Sequence, residues 1–127
     1  MRSVSAVTTH VLDTAKGVPA AGVPVRLEHA GPGAGGREGG GRDGGGGAEI
    51  ARGRTDEDGR VRDLGPAELP AGTYRLVFDT GAYLAGHGHR AAFFPEVVIT
   101  FALDGEAGHC HVPLLLSPFA YSTYRGS

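Results

Sequence analysis

The strongest constraint on this chain is a series of short segments, each with the two-residue rhythm of a strand and each closed by a turn signal. Thr8-Thr9-His10-Val11-Leu12 is β-branched and alternating. Val23-Pro24-Val25-Arg26-Leu27 sets Val, Val and Leu against Pro and Arg, which suits a half-buried strand with Pro24 at an edge or at the strand start. Asp58-Gly59 and Ala71-Gly72 mark tight turns, the second just ahead of Thr73-Tyr74-Arg75-Leu76-Val77-Phe78. Val97 to Leu103 is the strongest strand and stops at the turn pair Asp104-Gly105. His109 to Leu116 and Phe119 to Arg125 form the last two, joined across Ser117-Pro118. Only Thr80 to Gly88 suits a helix, and a short one. Many short strands with at most one helix imply an all-β, antiparallel sandwich, with strand order left open by periodicity.

At 127 residues the chain is one domain's length. Its 23 glycines are unevenly spread, and 11 of them fall in the 17 residues from Gly31 to Gly47. Nothing there can bury enough apolar area to offset backbone ordering, so residues 31–47 read as a flexible glycine-rich loop insertion. A coil of that length spans only roughly 23 Å, so its ends can sit together within one domain. It lacks the Gly-Lys-Ser/Thr ending of a phosphate loop, which argues against nucleotide binding. The net charge of −2, without a dense Lys/Arg run, argues against a nucleic-acid partner. No stretch approaches the length of a membrane span, and Met1-Arg2-Ser3-Val4-Ser5 lacks the apolar core of a signal peptide. Cys110 is the sole cysteine, so neither an intrachain disulfide nor a cysteine-rich zinc site can form. A cytoplasmic protein without a membrane partner is the expectation.

Several residues invite functional readings that plainer ones outweigh. His87-x-His89 and His109-x-His111 would each face one side of a strand and could grip a metal. No carboxylate or cysteine set completes a coordination sphere, so neither metal nor cofactor is expected. His29, His87 and His89 read as solvated loop or helix residues. Cys110 alternates away from His111, which favours a buried thiol over a nucleophile. Asp56-Glu57-Asp58 reads as turn chemistry rather than calcium binding.

Four stretches are more specific than a generic sandwich requires. They are Thr9-His10-Val11-Leu12-Asp13 with Gly17-x-Pro19-Ala20; Thr55-Asp56-Glu57-Asp58-Gly59-Arg60; Phe93-Phe94-Pro95-Glu96; and His111-Val112-Pro113-Leu114-Leu115-Leu116-Ser117-Pro118, running on to Tyr121-Ser122-Thr123-Tyr124-Arg125-Gly126-Ser127. Together they resemble the 5-hydroxyisourate hydrolases, also called transthyretin-related proteins, over nearly the whole chain except the glycine loop. The resemblance implies a transthyretin-like fold of two four-stranded sheets with one short helix. It further implies a homotetramer built as a dimer of dimers, with the site between dimers. Carried over position by position, the catalytic set is His10, Arg60, His111 and Ser127. The substrate-binding set is His10, Arg60, His111, Tyr124, Arg125, Gly126 and Ser127. The implied reaction opens the six-membered ring of 5-hydroxyisourate to 2-oxo-4-hydroxy-4-carboxy-5-ureidoimidazoline, a step of urate degradation.

The residue types suit that chemistry. His10 shares a strand face with Thr8 and Leu12, and His111 shares one with His109, Pro113 and Leu115. Hydrolysis at an acyl C–N bond needs an activated water, a stabilised oxyanion and a protonated leaving nitrogen. Imidazoles transfer protons near neutral pH, and the Arg60 guanidinium offers a planar donor fork for urate-like carbonyls. Either His10 or His111, helped by the Ser127 carboxylate, would activate the water. The rival functions are a transthyretin-like carrier that holds a small ligand without turnover, and a purely structural sandwich. A carrier would be expected to lack the histidine pair, Arg60 and the Tyr-Arg-Gly-Ser ending.

Overall fold

The computed structural model describes residues 5–31, 48–88, 92–105 and 108–126. Residues 32–47 of the glycine-rich stretch, together with His89 and Ser127, lie outside the described residues. The elements are β1 (Val7–Asp13), β2 (Val18–Pro19), β3 (Pro24–Gly31), β4 (Ala48–Arg54), β5 (Arg60–Val61), β6 (Gly72–Phe78), α1 (Thr80–Ala85), β7 (Val97–Leu103), β8 (Cys110–Ser117) and β9 (Ala120–Thr123). Thus the strands expected at 8–12, 73–78, 97–103, 109–116 and 119–125 and the short helix are all present, and Pro24 opens its strand. That strand runs past Leu27 to Gly31.

One sheet has the order β4-β3-β6-β7 and is antiparallel throughout. The other has the order β2-β1-β8-β9, with β5 also beside β1. β2 pairs with Leu12 and Asp13, whereas β5 pairs with Thr9 and His10, so the two short strands lie end to end along one edge of β1. The amide of Val11 donates to Gly59 O and its carbonyl accepts from Ala20 N, which joins the two pairings. This sheet is therefore four strands wide although it contains five. The antiparallel expectation needs one correction: β1 and β8 run parallel, from Val7 opposite Cys110 to Asp13 opposite Leu116. Nearly the whole chain separates these two strands, so no hairpin dictates their direction.

The strand β4 was not legible from alternation, and its pairing shows why. Ala51 opposes Leu27 and Glu49 opposes Glu28, so Ile50 is an extra residue at a β-bulge. Both Ile50 and Ala51 pack against the core, which breaks the two-residue period.

Val7, Val11, Val25, Leu27, Tyr74, Leu76, Phe78, Val97, Leu114 and Leu116 fill the space between the sheets. Every second residue of β1 and β8 is committed to this core. Thr8, His10, His111 and Pro113 therefore fall on the opposite, outer face. The helix α1 is tied to β1 by the Tyr83 hydroxyl, which donates to Asp13 Oδ2 at 2.7 Å. Asp13 Oδ1 accepts from the amides of Ala15 and Lys16 at 3.1 and 3.0 Å. Burial alone would raise the Asp13 pKa, but these donors, led by Tyr83, hold it below the ordinary carboxylate value.

Candidate active site

Three chain segments converge on the outer face of the β1–β8 sheet. In the β1–β5 pair His10 lies directly opposite Arg60, and in the parallel β1–β8 pair Thr8 lies opposite His111. The rings of His10 and His111 are 6.5 Å apart between centroids. His10, Arg60 and His111 are all half-buried, open enough to meet a ligand and fixed enough to be oriented. The C-terminal tail returns to the same place, where the Gly126 amide donates to His111 O at 2.7 Å.

The turn at residues 56–59 delivers Arg60. Asp56 Oδ1 accepts from the amides of Asp58 and Arg60, and Gly59 adopts φ +78°. A Cβ at Gly59 would lie 2.5 Å from Val11 O, so only glycine lets this turn meet β1. These bonds, with the Arg60 amide first, keep the Asp56 carboxyl below its ordinary pKa, and Arg62 adds its charge. The acidic triplet is therefore a turn device, as its composition suggested.

Hydrogen bonds orient both imidazoles. His10 Nε2 lies 2.9 Å from Asp58 O, and a carbonyl only accepts, so Nε2 carries a proton. That leaves Nδ1 as the second nitrogen of His10. His111 Nδ1 lies 2.8 Å from the Thr8 hydroxyl, which leaves Nε2 as the second ring nitrogen of His111. Burial, then the charges of Arg60, His10 and His109, push the His111 pKa below its ordinary value. His111 is therefore held neutral near pH 7, as a general base must be.

Gly126 is pressed against His111, since a Cβ there would lie 2.8 Å from His111 Cδ2. Tyr124 is exposed at 58% and Arg125 is also exposed, beside this contact in the chain. Ser127 lies outside the described residues. Cys110 is buried, faces the core, and has its thiol pKa raised by burial against the opposing charge of Arg125. His87 is exposed in the turn after α1, stacked on Tyr83. His29 is not a solvated loop residue: it lies in β3 with its ring edge-on to Tyr74 at 4.9 Å, because the strand runs on past Leu27. His109 and His111 do share one face, but their facing nitrogens both aim at Thr8 Oγ1. Among the described residues no His, Cys, Asp and Glu side chains gather as a metal-binding set. The sequence reading placed Thr8 on the right face without assigning it a role.

The HIUase/Transthyretin family model matches residues 7–126. A curated 5-hydroxyisourate hydrolase from Caulobacter vibrioides is 43% identical, covering 98% of this chain and 100% of its own. Among solved structures, the Klebsiella pneumoniae 5-hydroxyisourate hydrolase aligns with a TM-score of 0.76 and 35% identity, over 99% of this chain and 100% of that one. Transthyretin from Sparus aurata aligns with a TM-score of 0.78 and 32% identity, over 95% and 96%. The chain belongs to the HIUase/Transthyretin family. Backbone similarity is nearly equal for a hydrolase and for a transthyretin, so the fold alone does not separate the two.

Proposed function

We propose that the protein hydrolyses 5-hydroxyisourate, opening its six-membered ring to 2-oxo-4-hydroxy-4-carboxy-5-ureidoimidazoline in urate degradation. The observation that carries this reading is the convergence of His10, Arg60 and His111 on one outer sheet face. In the proposed reaction His111 Nε2 takes a proton from water, and the resulting hydroxide oxygen bonds to the acyl carbon. Arg60 stabilises the oxyanion that forms, while His10, its Nε2–H held by Asp58 O, presents Nδ1 to the substrate as an acceptor. The C–N bond then breaks, the leaving nitrogen takes the proton from His111 to become a ureido group, and the new carboxylic acid loses its proton to solvent. Ser127 assists the base, and Tyr124, Arg125 and Gly126 wall the substrate. The chemistry uses acid–base and electrostatic groups alone, with no cofactor.

The active species in this proposal is a homotetramer. The outer face that carries the site also presents half-buried Leu12 and Leu115, and β7 and β9 each stand at an edge of their sheet. A second copy across that face would close the site from solvent. No helix among the described residues is long and apolar enough to cross a membrane. The free, buried thiol of Cys110 suits a reducing compartment, and we place the protein in the cytoplasm. The deciding assay follows the ultraviolet absorbance of freshly generated 5-hydroxyisourate with and without protein. Acceleration over spontaneous decay is expected; ligand binding without acceleration would favour the carrier function.

A further inference from the structure

We propose that Thr8 and His109 are positioning residues of this site, with the Thr8 hydroxyl passing protons between His111 and His109. The inference rests on the hydrolase reading above and deepens it. Thr8 Oγ1 lies 2.8 Å from His111 Nδ1 and 2.9 Å from His109 Nε2. Thr8 is only 6% exposed, so little water competes for its hydroxyl. A hydroxyl has a single proton, so one ring donates into Thr8 and the other accepts from it. When His111 Nδ1–H donates, Thr8 donates to His109 Nε2, and His111 Nε2 is a bare lone pair facing the site. That arrangement is the base form. When both protons shift, His109 Nε2–H donates, Thr8 donates to His111 Nδ1, and His111 Nε2–H becomes an acid.

The proton count closes through this relay. His111 Nε2 takes the proton of water. Its Nδ1 proton moves to Thr8 Oγ1 as the Thr8 hydroxyl proton moves to His109 Nε2. His109 becomes the imidazolium, and His111 is neutral with its proton on Nε2. His111 then gives that proton to the leaving nitrogen, and the relay runs back to restore the starting state. Charge on His111 itself is opposed first by burial, then by Arg60 from β5, by His10 from β1 and by His109, which precedes β8. The tail meets His111 through the Gly126 backbone. His109 is solvent-exposed, so a charge there is hydrated, and its ring stands 6.4 Å from that of His111.

The test compares Thr8→Val, Thr8→Ser and His109→Gln on the intact protein with 5-hydroxyisourate. Thr8→Val and His109→Gln should each lower kcat on the order of 10-fold or more with KM nearly unchanged, in the range of a general acid–base contribution. Thr8→Ser keeps the hydroxyl and should restore most of the rate. The double variant should be little worse than either single, because the two residues act as one unit. In mixtures of light and heavy water, kcat of the wild type should depend non-linearly on deuterium fraction, and that of Thr8→Val linearly. A purely structural Thr8 would lower Tm and leave this dependence unchanged. Nitrogen-15 spectra of the wild type should show His111 protonated at Nδ1 and bare at Nε2 at neutral pH. Wild-type kcat in Thr8→Val, a Thr8→Ser variant as slow as Thr8→Val, or a resting His111 protonated at Nε2 would each overturn the relay. If Thr8→Val does not fold, His109→Gln and the spectra still decide. Should the wild type fail to accelerate substrate decay, the hydrolase reading falls, while the spectra independently report the hydrogen-bond directions.

Discussion

At the scale of single residues, the state of His111 ties stability to activity. Its native pKa lies below the ordinary 6.5, so the unfolded chain binds a proton that the folded site resists. Its contribution to stability is therefore complete above pH 6.5 and is lost as pH falls through the lower, native value. The acid limb of kcat/KM should fall at a pH below 6.5, since the free enzyme keeps its base unprotonated down to that lower value. A limb centred above that value would assign the essential base elsewhere. Replacing His10→Asn, His111→Asn or Arg60→Gln should each lower kcat on the order of 10²-fold or more. None of the three belongs to the buried core, so Tm should hold in each variant. Variants as fast as the wild type would remove these residues from the mechanism.

At the scale of elements, two local devices hold the site in register. Gly59→Ala would set a methyl against Val11 O at a backbone conformation that L-residues avoid. The turn must then shift, costing about 1–3 kcal/mol and displacing Arg60 from its place opposite His10. Chemical denaturation and kcat should fall together, whereas the same change at Gly17, which has open space around it but a similar φ of +72°, should affect stability alone. The Tyr83–Asp13 bond is the second device. Tyr83→Phe removes a donor from a buried carboxylate and should cost about 1–3 kcal/mol while sparing kcat. Asp13 now stabilises the fold above its ordinary 3.8, and this is lost as pH falls through its lower native pKa. Without Tyr83 that loss should begin at higher pH, so acid unfolding should move up in pH. An unmoved acid transition would show that the two main-chain donors suffice.

For the whole molecule, the predictions concern assembly and the glycine stretch. Light scattering should find the active species as a closed, two-fold symmetric tetramer. A fully active monomer would show that the outer face works uncovered. Dialysis against a strong chelator should leave the rate unchanged, and loss of turnover restored by zinc would overturn acid–base chemistry as the whole mechanism. β3 ends at Gly31 and β4 begins at Ala48, and these two strands pair with one another. Their ends are therefore close whatever joins them. Replacing residues 33–46 by a short Gly-Ser connection should leave Tm and kcat nearly unchanged, because loop closure costs vary slowly with length. Loss of the tetramer would make the stretch a structural element.

The local pattern by itself determined the regular strands, the helix and the faces on which His10 and His111 stand. Alternation needs only a residue's neighbours, and β7, read as 97–103, has those bounds. The motifs around His10, Arg60 and His111 and in the tail likewise carry the family resemblance. The parallel pairing of β1 with β8 was decided only in the folded molecule, because it joins segments about a hundred residues apart. The bulge that hid β4, the end-to-end fit of β2 and β5, and the packing of Gly126 on His111 are of the same kind. So is the Thr8 hydroxyl between two imidazoles, a contact spanning 101 and 103 residues of chain. Each depends on distances between residues remote in sequence, which only closure of the two sheets around a common core can set.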